Sequence, residues 1–177
     1  MNRTNTLFAI LFVVAACALI VLSVRPPMIA DQSGTGLLPA AQVKVAPDFT
    51  LGDFHLQDNA KAQPIVLDFW ATWCEPCRDE LPQIEALSRR YAGRVGFYGI
   101  NSSDTPANIK IFARQEGLTF PTLSDADQHI ANLYGADEIP LLVVVDTHGK
   151  VRAVTVGYDE QVETDLPKVL DALLAEK

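Results

Sequence analysis

Hydrophobic residues are distributed unevenly along the chain. Residues 7–24, LFAILFVVAACALIVLSV, form an 18-residue run whose only polar positions are Cys17 and Ser23. At about 1.5 Å per residue, a helix of this length spans roughly 27 Å, close to the core of a bilayer. Residues 26–45 carry Pro26, Pro27, Gly34, Gly36 and Pro39 with little pattern, as a linker would. Beyond them the pattern changes to short elements. Ile65-Val66-Leu67-Asp68-Phe69-Trp70 is an apolar run of strand formers, interrupted only by Asp68. From Pro76 to about Tyr91 the spacing turns helical, with Leu81, Ile84, Leu87 and Tyr91 on one stripe and Gly93 as a stop. A strand is predicted over 95–100, a helix over 106–116 after Thr105-Pro106, and a short helix over 126–134. Residues 141–146 and 151–156 read as two strands joined by the tight turn Thr147-His148-Gly149. An amphipathic helix over 159–175 closes the chain, with Pro167 either kinking it or moving its start near Leu166. The order predicts a single α/β domain over 46–177, a mixed sheet flanked by helices.

Charge narrows the partners. The whole chain carries a formal charge of −8. The part after residue 30 has 12 basic and 22 acidic residues, net −10. That balance argues against nucleic acid, which needs a basic surface. Arg3 precedes the apolar run and Arg25-Pro26-Pro27 ends it, which favours a cytoplasmic amino terminus. Residues 1–25 are therefore expected to be an uncleaved signal anchor. A cleaved signal peptide is one alternative. A lipoprotein signal is another, because Val14-Ala15-Ala16-Cys17 resembles a lipobox with Cys17 as the lipidated residue. All three place the domain on the periplasmic or extracytoplasmic side of the cytoplasmic membrane.

The chemistry lies in Cys74 and Cys77. Two cysteines three positions apart at the opening of a helix put both sulfurs on one side of its first turn, close enough for a small disulfide ring. Cys74, at the helix start, gains thiolate character from the orphan amides and the positive dipole end, and is expected to be the exposed nucleophile. Cys77 lies deeper and resolves the mixed disulfide. Pro76 suits the first turn, and Trp73 shapes the contact surface. A zinc site or an inert structural disulfide would be the competing reading. Zinc needs four ligands, and His55, His129 and His148 stand at no ligand spacing, so no metal is expected.

The segment Asp68-Phe69-Trp70-Ala71-Thr72-Trp73-Cys74-Glu75-Pro76-Cys77 resembles the active-site strand and motif of thioredoxins. Pro82 matches their helix proline, and Ile139-Pro140 their cis-proline loop. Ala46-Pro47-Asp48-Phe49-Thr50-Leu51, the WCEPC sequence, Asp146-Thr147-His148-Gly149-Lys150 and the amino-terminal run are similar to the TlpA/ResA-like group. The resemblance covers about residues 45–175. It implies a thioredoxin-like fold and a membrane-tethered thiol–disulfide oxidoreductase without a cofactor. It further implies protein clients such as apocytochrome c, and a transmembrane thiol carrier as electron donor. Trp73, Glu75, Pro76, Ile139 and Pro140 would meet the client, which would pair with the backbone of Ile139 as an added strand. The group usually carries Asn where this chain has Asp68, whose buried carboxyl could relay protons to Cys77 or only end a strand. Glu80 matches an acidic position near the cysteines, where it could tune them; it could equally be an exposed helix-surface charge. Glu75 adds negative charge beside the thiolate and favours a reducing protein. Copper-ligand cysteines of an oxidase, or several envelope proteins, are alternative clients. A copper chaperone would be expected to carry C-x-x-x-C with a distant His, and a peroxidase a lone Cys.

Overall fold

The computed structural model describes residues 43–176. The apolar run at 7–24, Cys17 and nearly all of the 26–45 linker lie outside those residues. The central element is β4 (Ile65–Trp70), with the bounds its apolar run predicts. Every one of its residues is buried, and alternation sends them two ways. Ile65, Leu67 and Phe69 enter one hydrophobic cluster, and Val66 and Trp70 the other. Asp68 shares the parity of Val66 and Trp70.

Six strands form the sheet in the order β1-β8-β7-β4-β5-β6. These are β1 (Lys44–Val45), β8 (Lys150–Val156), β7 (Leu141–Val145), β4, β5 (Gly96–Asn101) and β6 (Thr122–Ser124). The β4–β5 and β5–β6 pairs are parallel; β4–β7, β7–β8 and β1–β8 are antiparallel. This is the mixed sheet that the element order predicts. One face carries α2 (Glu75–Arg90), α3 (Pro106–Gln115) and α5 (Val162–Ala175), through Leu81, Ile84, Ile109, Leu166 and Leu170. The other carries the hairpin of β2 (Thr50–Leu51) and β3 (Phe54–His55), α1 (Leu56–Ala60) and α4 (His129–Tyr134). There the Tyr134 hydroxyl donates to the Pro47 carbonyl at 2.7 Å.

Three local expectations need correction. Helix α4 begins at His129, because the Asp125 carboxylate accepts from the amides of Ile130 and Ala131 at 3.0 and 2.8 Å and fixes the start there. Helix α5 begins at Val162, after a turn in which Asp159 accepts from the Gln161 amide. Pro167 sits inside α5, buried against the core, so burial of that face outweighs the missing backbone bond. The turn at 147–149 is as expected: Gly149 has φ +70° and its amide donates to the Asp146 carbonyl. The Asp146 carboxylate takes the amides of His148 and Lys150.

Candidate active site

Helix α2 starts where β4 ends, so its first turn stands at the carboxyl edge of the central strand. Cys74 is the N-cap, with extended φ and ψ, and Pro76 occupies the first turn, where its missing N–H costs nothing. The pair is joined as a disulfide, with Cα atoms 5.3 Å apart. The Cys77 amide donates to Cys74 Sγ at 3.2 Å. An orphan helix-start donor thus points at the sulfur expected to carry charge. Cys77 is the deeper of the two, but Cys74 is also buried, with only 3% of its surface exposed. That differs from the exposed nucleophile of the sequence reading. In the disulfide its sulfur turns inward toward Cys77 and lies 3.7 Å from the Ile139 carbonyl oxygen. Trp73 carries the exposed surface instead, at 68%, and Glu75 is exposed beside it.

Two loops hold this turn in place. The Ile139–Pro140 bond is cis, and the Pro140 carbonyl accepts from the Gly157 amide at 2.8 Å. The loop before Cys74 is held by Asp104. Its carboxylate accepts from the Thr72 amide at 2.8 Å, the Thr72 hydroxyl at 2.6 Å and the Asn101 side chain at 2.8 Å. Asn101 pairs with Trp70 in the sheet and accepts from the amides of Ser103 and Asp104, so the clamp is anchored on β5. Partial burial works against the Asp104 carboxylate, but the bonds from Thr72 and Asn101 outweigh it and hold its pKa below the ordinary value. Sequence reasoning missed Asp104, because nothing local marks a partner 32 positions away.

Two carboxyl groups are buried in the elements that flank the dithiol turn, Asp68 on β4 and Glu80 on α2. Asp68 is 2% exposed and Glu80 1%. Glu80 follows Cys77 by three positions, hence on the same buried face of α2. Its reading as a surface charge is therefore overturned. Among the described residues neither Glu80 oxygen nor Asp68 Oδ1 has a hydrogen-bond partner. Burial pushes Asp68 up to about 7. Burial, then the charges of Asp68 and Asp159, push Glu80 up to about 9. Glu80 thus keeps its proton near neutral pH, while Asp68 is divided between its two forms there. Asp159, a further contributor the sequence did not suggest, arrives from the loop after β8. Next to it, the Tyr158 hydroxyl accepts from Gln83 of α2 at 3.3 Å.

The comparisons agree with this geometry. The model of the AhpC/TSA family matches residues 40–154. Thiol-disulfide oxidoreductase ResA of Geobacillus thermodenitrificans (strain NG80-2) is 33% identical over 117 residues, covering 63% of this chain and 67% of the relative. ResA of Bacillus thuringiensis (strain Al Hakam) is 34% identical over 134 residues, covering 71% and 77%. Among solved structures, a thiol:disulfide interchange protein of Chlorobium tepidum TLS superposes with a TM-score of 0.63 at 27% identity, covering 74% of this chain and 96% of that one. A dithiol turn capping a helix, a cis-proline loop against it and these matches together place the chain in the AhpC/TSA family, as a thiol–disulfide oxidoreductase of the thioredoxin superfamily similar to ResA.

Proposed function

We propose that the protein reduces disulfides of client proteins on the extracytoplasmic side of the cytoplasmic membrane, tethered by residues 1–25, and that apocytochrome c is among its clients. The observation that carries the direction is the charge around the pair. Glu75 is exposed beside the cysteines, and Asp68 and Glu80 are buried with no salt bridge to either among the described residues. The charge of Glu75 and of the ionised fraction of Asp68, together with a Glu80 that holds its proton, offers a thiolate no counter-charge, so these groups raise the energy of the reduced form and make it a better electron donor. Among the nearby cations, Arg78 lies over the Phe112 ring instead, 6.0 Å from its centroid.

The reaction follows from the two sulfurs. The Cys74 thiolate attacks one sulfur of the client disulfide, and a Cys74–client bond forms as the client's own bond breaks. The client's released sulfur takes up a proton. Cys77 then loses its proton, with Asp68 as the acceptor, and attacks Cys74 Sγ. The Cys74–Cys77 bond forms and the client's second sulfur leaves, also to be protonated. Two electrons and two protons pass to the client. Glu80 exchanges the proton held by Asp68. The client's extended segment pairs with the backbone of Ile139, across Trp73, Glu75, Pro76 and Pro140. A transmembrane thiol carrier restores the dithiol.

Trapping tests the proposal. Cys77→Ser cannot resolve the mixed disulfide, so clients should remain bound to Cys74 and be identified by mass spectrometry. Recovery of copper-assembly proteins alone would remove apocytochrome c from the reading. Full reductase activity in Cys74→Ser would remove the assignment of the nucleophile.

A further inference from the structure

We propose that the cavity beside Trp73 is a subsite for one client side chain, and that it selects a long side chain with a cationic tip. This rests on the reductase reading above and names the class of sequence it prefers. The cavity measures about 270 Å³. That is below the range of sites for whole small molecules, about 300–1,000 Å³, and suits one side chain. Its floor is apolar, made by Phe69, Trp70 and Ile100, all nearly fully buried. Trp73 and Ile139 both line it, and the Ile139 carbonyl stands 3.7 Å from Cys74 Sγ. Whatever fills it is therefore covalently close to the reacting sulfur during the mixed disulfide.

The rim is polar and carries one sign of charge. Ser102, Gln128 and Asn132 line it with hydroxyl and amide groups, and Asp137 is the charged residue among those lining it. No cationic side chain among the described residues pairs with Asp137, and Glu138 beside it is exposed. An apolar floor under an acidic rim fits a side chain with a methylene stem and a cationic head, which buries the stem and leaves the head at the edge. Parity sets its place in the client. In a segment added as a strand at Ile139, alternate side chains point the same way. The cysteine that meets Cys74 and the occupant of this cavity are therefore two positions apart.

Single-cysteine peptides test this, each carrying a coloured aromatic thiol as its mixed-disulfide partner. Lys, Met, Ala or Glu is placed one or two positions from the cysteine, on either side. The reduced full chain is assayed for kcat/KM. Lys two positions away, on one side, should exceed Met there by about fivefold, the scale of a partly screened ion pair, with Glu slowest. Lys one position away should show no such preference. Asp137→Asn should bring the Lys-to-Met ratio towards one, and Asp137→Lys should invert the order of Lys and Glu. Equal rates for all peptides, or an unchanged ratio in both variants, overturn the subsite while leaving the reductase reading in place. Failure to reduce any peptide, or the small aromatic disulfide itself, overturns both.

Discussion

Replacing Asp68 by Asn removes a buried acid without changing its shape. The wild-type carboxyl is 2% exposed, with Oδ1 unpartnered, and burial pushes it from 3.8 to about 7. In the unfolded chain it titrates near ~3.9. Below about pH 4 both states hold the proton, and burial of the neutral acid carries no ionisation penalty. As the pH rises from there to about 7, the unfolded chain releases its proton and the native state keeps it. The native state therefore loses stability across that window, by up to about 1.4 kcal/mol per pH unit. Three units give a loss on the order of 4 kcal/mol by neutral pH. Urea denaturation of the disulfide form at several pH values between 4 and 8 measures it. The charge of Asp68 contributes to the Glu80 shift, so the comparison is repeated in a Glu80→Gln background, where only Asp68 differs. The variant should match the wild type near pH 4 and exceed it by several kcal/mol at pH 8. Stability curves that run parallel across the whole range would refute the account of Asp68 as a buried, unpaired acid.

The other expectations concern Glu80 and Asp104. Glu80, pushed up to about 9, is mostly protonated at neutral pH and ionises over the alkaline range. Glu80→Gln should remove that inflection from the pH profile of disulfide reduction between pH 6 and 10. It should also slow the reaction on the order of a hundredfold near pH 7, the low end of acid–base assistance. Asp104→Ala deprives the Thr72 amide and hydroxyl of their acceptor and should cost about 3 kcal/mol in urea denaturation, with Asp104→Asn recovering part of it. Because the Asp104 pKa is lowered in the native state, its contribution is present above about pH 4 and lost as the pH falls below that.

Much of this was legible because it is local. The run Ile65 to Trp70 is continuous and apolar, and β4 has those bounds. The dithiol, Pro76 and the helical stripe lie within the consecutive residues 74–91, so spacing alone places Cys74 at a helix start. What escaped depends on distant partners. The β2–β3 hairpin and strands β1 and β6 are two or three residues long, and only pairing makes them strands. The start of α4 is fixed by the Asp125 side chain, which competes with any propensity at Ala126. Asp104 and Asp159 reach the site from loops after β5 and β8. Glu80 shares the buried face of α2 with Cys77, Ile84 and Leu87, and its charge hid that place from a reading based on apolar positions.

The arrangement treats the two sulfurs differently. At Cys74 the helix start offers the Cys77 amide at 3.2 Å, a donor that favours negative charge. Glu80, on the buried face of α2 that also holds Cys77, and Asp68, near enough to Glu80 to interact with it, are acids whose ionisation burial disfavours, and on the proposed mechanism they oppose a second negative charge at Cys77. Charge is thereby favoured at the front sulfur and a proton at the rear one. On the proposed mechanism this asymmetry orders the steps. Cys74 is ready to attack before a client arrives, while Cys77 stays protonated and does not close the ring prematurely. Once Cys74 is bonded to the client its charge is gone, and the field that held the proton on Cys77 weakens. Exchange with Asp68 then becomes easier at the moment when Cys77 must act. A cation placed beside Asp68 would collapse this difference by ionising the acid. Removing the acids would do so more directly: Asp68→Asn combined with Glu80→Gln should lower the Cys77 pKa and make the protein a poorer reductant. That shift is read by equilibration against glutathione; an unchanged midpoint in the folded double variant would show that the buried acids do not set the direction of electron flow.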